Sequence, residues 1–495
     1  MLFVMSSRKR KSDYGLALFC CFSCLEEECF NMNELDLGTG SIGKLVRKFS
    51  VPCVISMVVA ALYNIVDQIF IGWSEAGAYG NAATNIVYPF TVVALGLALL
   101  IGDGAAAGFS IELGKGDKKQ ANKNIGNGIA MLICLSVILC VVGFTLRPQI
   151  LALFGGNPEE AECYAYAVDY FRIICMGIPF YMIGQGLNGS IRADGAPGFA
   201  MACTLAGAIT NLIFDPVMIF GFKMGVKGAA IATVMGQVLT FLMSVFYLTR
   251  ARNFKVDREA LKLNGKTTAN IISVGMASLI VQLSIVIIIA VNNNLLTKYG
   301  YITYASTGEA FGAVIPLAVV GIVMKVFGIV VSIVIGISLG GQPIIGFNMG
   351  AGNMARVKET ILLITKLVLG VGVIAFLIFE LAPDAIIFLF GSHNTAEYME
   401  YARLCIRIFL GGIILTCYIK SAAIMLQSMG NSVKSTLLAL LRDVIIFVPA
   451  SLIIAAVSKN IVTMLWAAVV SDVVASIVGF IFVRTEIKKL EGYMK

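Results

Sequence analysis

Two aspartates stand out because they lie inside long apolar stretches of the sequence. Asp67 and Asp215 each lie about five residues before the end of such a stretch, and Thr233 lies about seven residues into the next one. If these stretches are helices that cross a bilayer, all three side chains lie roughly 7–8 Å below the same membrane surface. An ionisable group at that depth costs several kcal/mol unless it has a function or a partner. The three residues are therefore candidates for one shared site.

Neighbouring polar residues extend this acidic cluster. Tyr63 and Asn64 lie one turn before Asp67, and Asn211 lies one turn before Asp215, so each pair shares a helix face. Pro216 has no N–H group, which leaves the carbonyl four residues earlier without its helical partner.

These groups together form an all-oxygen environment that suits Na⁺, or protons held by the carboxylates. Two carboxylates in a region of low dielectric constant also repel each other, which favours a bound positive charge. We expect Asp67, Asn211, Asp215 and Thr233 to bind H⁺ or Na⁺, with Tyr63, Asn64 and Pro216 in support. The alternative interpretation is a structural hydrogen-bond cluster that joins three helices.

A second set of polar residues lies in the later apolar stretches. It contains charges of both signs, namely Lys325, Lys420, Arg442, Asp443 and Asp472, together with Gln282. Mixed signs permit internal ion pairs, so the sequence favours a structural role here. Gln282, Arg442, Asp443 and Asp472 remain secondary candidates for the functional site.

The composition excludes a soluble globular or disordered protein. The chain has 495 residues, of which 58% are hydrophobic and only 13% are charged, and its mean hydropathy is +0.89. So few charges cannot cover the surface of a protein of this size in water. The sequence predicts an all-α membrane protein with about twelve transmembrane helices.

The apolar stretches predict the positions of these spans and their orientation. We expect spans near residues 50–72, 85–108, 124–146, 165–187, 197–220, 226–250, 270–296, 309–338, 358–380, 403–425, 433–456 and 461–485. Lys and Arg, including Arg192, are concentrated in the even-numbered loops, which predicts that these loops and both termini are cytoplasmic.

An internal repeat divides the chain into two halves. The segment Gly104–Gly116 matches Gly340–Gly352 at an offset of about 236 residues. We expect an N-terminal six-helix lobe at 41–250, a basic cytoplasmic linker at 251–268, and a C-terminal six-helix lobe with a short tail at 269–495. Residues 1–40 are expected to be an unstructured extension, with Met32 as the functional start. Its cysteines fit no zinc-binding spacing: Cys20, Cys21, Cys24 and Cys29.

The sequence offers little support for an enzyme. His393 is the only histidine and lies in an acidic loop, and neither a zinc-protease motif nor a phosphate-binding loop occurs. We therefore expect no cofactor other than a coupling ion and no nucleic-acid partner. A membrane enzyme that uses Asp67 and Asp215 in acid–base catalysis is a weaker alternative.

Four segments resemble bacterial multidrug and toxic compound extrusion (MATE) transporters. They are Tyr63–Asp67, Asn211–Pro216, Gly228–Thr233 and Gln342–Ala351, and the last is similar to the second-lobe signature of the MepA-like branch. The resemblance covers about residues 41 to 485.

The resemblance implies two six-helix lobes that form a V and open alternately to either side of a bacterial plasma membrane. It implies the export of organic, often cationic, drugs in exchange for Na⁺ or H⁺, by a chain that we expect to act as a monomer. Asp67, Asn211, Asp215 and Thr233 match the first-lobe cation site of DinF-type members. Unlike some members, this chain has no carboxylate in predicted span 7 or in the body of span 10. A lipid-linked oligosaccharide or polysaccharide flippase of the same superfamily is the nearest alternative.

Overall fold

A computed structural model describes residues 34–156, 158, 161–303, 309–389 and 396–493. These residues form α-helices and two short π-helical turns joined by short loops. The helices are α1 (Glu34–Thr39), α2 (Ile42–Trp73), α3 (Gly77–Gly114), α4 (Lys118–Thr145), α5 (Arg147–Leu153), α6 (Ala161–Ala193), α7 (Pro197–Pro216), α8 (Gly225–Leu248), α9 (Gly265–Thr303), α10 (Glu309–Gly350), α11 (Met354–Leu381), α12 (Pro383–Leu389), α13 (Ala396–Phe409), α14 (Ile413–Ser428), α15 (Ser432–Leu440), α16 (Phe447–Ser458), α17 (Ile461–Met464) and α18 (Trp466–Tyr493). The π-helical turns are Val217–Gly221 and Leu441–Ile446. The N-terminal cysteine cluster, Met32 and His393 lie outside the described residues.

The prediction of a helical membrane protein with many spans is confirmed. Within the described residues, eleven helices are long and apolar enough to cross a bilayer, if Ser432–Ser458 is counted as one helix that continues through the second π-helical turn. A twelfth span results if the pair formed by Tyr398–Phe409 and Ile413–Ser428, which is bent by 45°, is counted as one. Most helices extend beyond the predicted apolar stretches, because a helix continues to satisfy its backbone hydrogen bonds after it leaves the hydrocarbon region.

The helices pack as two lobes. In the first lobe, which runs from α2 to α8, α3 packs on α6 and α8 packs on both α6 and α7. In the second lobe, which begins at α9, α14 contacts α10, α11, α15 and α18. Between the lobes, α9 packs on α3, and α10 packs on both α2 and α3.

Glycines allow helices of the two lobes to approach so closely that their backbones are in contact. An added Cβ atom at Gly275 of α9 would overlap the carbonyl oxygen of Leu100 in α3. The repeated glycine segments of the two lobes also meet, because a Cβ atom at Gly114 would overlap the Phe347 carbonyl and one at Gly350 would overlap the Ile111 carbonyl. We call these contacts the glycine seam. The seam closes the space between the lobes on the side of the membrane where residues 249–264 lie, which we call the linker side.

The linker is held on the first lobe by two buried polar side chains. Asp194 accepts hydrogen bonds from Tyr247 Oη at 2.6 Å and from the backbone N–H groups of Arg252 and Asn253 at 3.0 and 2.9 Å. Asn127 Nδ2 donates to the Ala260 carbonyl at 2.9 Å. Burial raises the pKa of the Asp194 carboxyl, and the hydrogen bonds from Tyr247, Arg252 and Asn253 offset part of this rise.

The structure describes the chain from residue 34, which is earlier than the predicted boundary at residue 41. Residues 34–39 form α1, and Leu37 is buried. Arg356 donates to the carbonyls of Leu37 and Gly40 at 3.1 and 2.6 Å, and Asn348 donates to the Leu37 carbonyl at 3.0 Å. The prediction of an unstructured segment up to residue 40 is therefore wrong for residues 34–40, because these long-range partners are not visible in the local sequence.

The glycine seam leads to a stability prediction. Gly275→Ala should lower the melting temperature of the detergent-purified protein, because relieving an overpacked contact between backbones costs about 1–3 kcal/mol. Gly370→Ala in α11 is the matched control, since nothing lies within 4 Å of an added Cβ atom there. Equal melting temperatures for the two variants would show that the seam tolerates a methyl group.

Candidate functional site

The two lobes line a cavity of about 270 Å³. Its walls come from α2, α3, α6, α7 and α8 on one side and from α9, α10, α14, α15 and the second π-helical turn on the other. Most of the lining is apolar, and a limited set of polar groups points into it. This combination is typical of sites that bind small organic molecules.

The structure brings the four predicted cation ligands together beside this cavity. Asp215 is fully buried, and Asn211 Nδ2 donates to Asp215 Oδ1 at 3.2 Å and to Thr233 Oγ1 at 3.3 Å. The Asp67 side chain approaches Asp215 closely enough for the two carboxyl groups to share a hydrogen bond. Asn211 and Thr233 also line the cavity, so they connect the two carboxylates to it.

The two carboxylates have unused oxygens. Asp67 Oδ1 and Asp215 Oδ2 are buried, and neither has a hydrogen-bond donor in the described part of the chain. Buried oxygens without donors are costly, so this arrangement favours a positive charge between them. A proton shared by the two carboxyl groups satisfies the observed arrangement directly. The same oxygens are also of the type that ligates Na⁺, provided that the Asn211 amide turns over and presents Oδ1 instead of Nδ2.

Local backbone features place this cluster. Pro216 ends α7, and the next residue, Val217, directs its N–H group to the Phe214 carbonyl. The π-helical turn that follows packs tightly on α8, because an added Cβ atom at Gly228 would lie 2.8 Å from the Met218 carbonyl carbon. Deeper in the lobe, Gly207 and Gly236 let α7 and α8 approach closely, which brings Asn211 to Thr233.

Of the predicted supporting residues, Tyr63 and Asn64 both line the cavity. Asn64 Nδ2 donates to the Ala60 carbonyl of its own helix at 2.6 Å. The sequence did not single out Tyr170 of α6. Its ring is buried beside both aspartates, and its hydroxyl contacts Thr233. The only sign of Tyr170 in the sequence was that it is a polar aromatic residue within a predicted span. This sign is weak, because the chain has sixteen tyrosines.

The second-lobe charges form an internally paired cluster. Arg442 Nε lies 2.8 Å from Asp472 Oδ1, and Arg442 Nη1 lies 2.7 Å from Asp443 Oδ1. Lys420 Nζ lies 2.6 Å from Asp443 Oδ2. The two positive and two negative charges balance, as the sequence favoured. The cluster borders the cavity through Lys420 and Arg442, and Gln282 lines the cavity separately.

Two further charged residues lie at the linker-side end of the cavity, and the sequence did not identify either as a site residue. Asp103 of α3 and Arg192 of α6 are each 5% exposed. The assignment of Arg192 to a loop is wrong, because α6 continues to Ala193 and carries Arg192 in its last turn. Asp103 lies in a predicted span, and its position there was the signal that could have revealed it.

The fold and the cavity define a membrane transporter made of two helical lobes around a central binding space. Two segments of the chain, residues 52–217 and 288–453, match the MatE family model, and the chain belongs to this family. Members of the family are ion-coupled antiporters and not enzymes.

Relatives and solved structures agree with this family. The multidrug export protein MepA of Staphylococcus aureus is 25% identical over 447 residues, which cover 89% of this chain and 93% of that protein. MepA of Staphylococcus saprophyticus is 23% identical and covers 90% and 94%. The fold matches an outward-facing multidrug resistance MATE transporter with a TM-score of 0.81 at 23% identity, covering 93% of this chain and 99% of that chain. It also matches a MOP superfamily transporter from Pyrococcus furiosus with a TM-score of 0.83 at 22% identity and the same coverage.

The paired charges of the second lobe lead to a prediction. Arg442→Met should lower the free energy of unfolding by about 3–5 kcal/mol, because it leaves the buried carboxylate of Asp472 without its basic partner. Arg403→Gln is the control, since Arg403 pairs with the exposed carboxylate of Asp384. Thermal unfolding of both purified variants checks this. An unchanged melting temperature for Arg442→Met would mean that Asp472 does not need this partner.

Proposed function

We propose that this chain is an antiporter that exports organic, cationic drugs across a bacterial plasma membrane in exchange for H⁺ or Na⁺. The observation that carries the proposal is the pair of buried carboxylate oxygens on Asp67 and Asp215 beside the cavity. Asp472 of the paired second-lobe cluster also keeps such an oxygen, but it has Arg442 as its counter-charge, whereas neither Asp67 nor Asp215 has a basic partner among the described residues. Relatives named as multidrug export proteins, of nearly the same length, support the same substrate class.

The proposed mechanism couples ion binding to the position of α2. A cation that enters from the side opposite the linker neutralises Asp67 and Asp215 and removes their repulsion. Since α2 lines the cavity through Met57, Ala60 and Tyr63, repacking of this helix changes the space available to the drug. The lobes then rock, and the cation leaves on the linker side. The ion drives this cycle only because the two states bind it with different affinity.

The cavity supports an organic cation as the substrate. Its walls are mainly apolar, Asp103 lines the first-lobe wall beside Arg192, and Asp67 and Asp215 adjoin this wall through Asn211 and Thr233. The second-lobe charges are neutralised by one another, so that wall offers little net positive charge to an oligosaccharide phosphate. This argues against the flippase alternative. One chain supplies both the cavity and the acidic cluster, which supports a monomer as the functional unit.

The coupling role leads to an efflux experiment. Asp67→Asn and Asp215→Asn should each reduce gradient-driven ethidium efflux about 5- to 150-fold, the range that corresponds to coupling free energies of 1–3 kcal/mol. Efflux is measured in proteoliposomes under an imposed Na⁺ or H⁺ gradient, and the gradient that drives it identifies the ion. Asp169→Asn is the control, since Asp169 is a first-lobe carboxylate that already pairs with Lys227 at 3.1 Å. Full coupled efflux by Asp67→Asn would contradict the proposal.

The proposed orientation has its own test. The basic residues of the linker side suggest that this side faces the cytoplasm. Fusion of green fluorescent protein to the C terminus should then give fluorescent cells, and fusion of alkaline phosphatase should give an inactive enzyme. The opposite pair of results would place the linker outside.

A further inference from the structure

Asp103 lies at the linker-side end of the cavity and has no part in the proposed ion coupling. It belongs to α3, next to the glycine seam, and it lines the cavity together with Arg192. An aspartate at this depth needs partners. Its partners come from both lobes.

The shortest hydrogen bond to Asp103 crosses between the lobes. Ser278 of α9 donates from Oγ to Asp103 Oδ2 at 2.8 Å. Gln427 of α14 holds Ser278 in place, because its Nε2 donates to Ser278 Oγ at 3.1 Å and to the Val274 carbonyl at 2.9 Å.

The partner from the same lobe is more distant. Arg192 Nη2 lies 3.6 Å from Asp103 Oδ1, which is beyond a direct hydrogen bond. Arg192 is itself directed to Asn188, since its Nη1 donates to Asn188 Oδ1 at 2.5 Å. The Asp103 charge is therefore only loosely compensated within the first lobe.

Alternating access requires the lobes to part on the linker side. The Ser278–Asp103 hydrogen bond joins the two lobes, so it exists only while that side is closed. Parting leaves Asp103 at the new entrance without the Ser278 donor, so its carboxylate charge is then free to attract a cation.

We propose that Asp103 is a binding site for the positive charge of the substrate, and that Ser278 and the substrate occupy it in turn. This inference rests on the proposed export of organic cations. With the linker side open, Asp103 binds the incoming cation. On closure, Ser278 again donates its hydrogen bond to the Asp103 carboxylate, which lowers the affinity of Asp103 for the cation. The lower affinity favours release of the cation on the opposite side. The affinity difference between the two states is what makes the step directional.

Removal of the serine hydroxyl tests this exchange. Ser278→Ala should bind ethidium several-fold to about tenfold more tightly, because Asp103 stays available in the closed state. It should also export ethidium more slowly, because release is hindered. The full chain in lipid nanodiscs is titrated with ethidium, and efflux is followed in proteoliposomes. Ser278→Thr keeps a hydroxyl and should restore both values.

Ser273→Ala is the matched control. Ser273 lies on the same helix, but its Oγ donates to Ser432 within the second lobe at 2.9 Å. This variant should match the wild type in ethidium affinity and export rate. Asp103→Asn should bind ethidium about tenfold more weakly and leave binding of the uncharged dye Nile red unchanged.

Equal ethidium affinities for Ser278→Ala and Ser273→Ala would overturn the inference, even if Ser278→Ala lowered the melting temperature. That result would assign the Ser278–Asp103 bond to closure of the lobes alone. If Asp103→Asn does not fold because Arg192 is left unpaired, the affinities of Ser278→Ala and Ser273→Ala still test the inference. If the wild-type chain binds ethidium without exporting it, the proposed export function is wrong. The measured ethidium affinities of the variants still test whether Asp103 binds the cation.

Discussion

A charge inside a bilayer must have a partner, and the rest of this structure depends on how each charge meets that requirement. The second-lobe charges meet it among themselves, in a balanced cluster around Arg442. Asp67 and Asp215 meet it only in part, since each keeps a buried oxygen without a donor and neither has a basic partner among the described residues. Asp103 depends on a serine of the opposite lobe. The same physical cost therefore applies to a paired cluster, to the proposed ion site and to the contact that we propose changes with conformation.

The features that local sequence controls were predictable. Apolar length predicts the spans, and the rise of a helix converts sequence position into depth. That depth argument places Asp67, Asp215 and Thr233 at one level, and the structure places them side by side. Pro216 was also readable, because a missing N–H group is a property of the residue itself. The role of these residues in ion binding remains a proposal.

The features that depend on packing between distant segments were not predictable. Tyr170 belongs to the acidic cluster only because α6 packs on α8. Arg192 was assigned to a loop because the apolar stretch ends before it, whereas a helix can continue when a buried arginine has partners such as Asn188. The glycine repeat was visible in the sequence. That its two copies contact each other across the lobe interface depends on long-range packing, which one sequence does not reveal.

The attachment of the linker to the first lobe has a mechanical consequence. The same polar contacts continue into α9, since Gln120 Nε2 donates to Thr267 Oγ1 at 3.1 Å. The start of α9 is thus tied to one lobe while its body belongs to the other, so this helix acts as a lever with its fulcrum at the linker. Ser278 lies about 16 Å along the lever from Thr267, and Asn292 lies about 37 Å along it. A given rotation therefore moves the far end about twice as far as Ser278, and a small opening beside Asp103 corresponds to a larger displacement across the membrane.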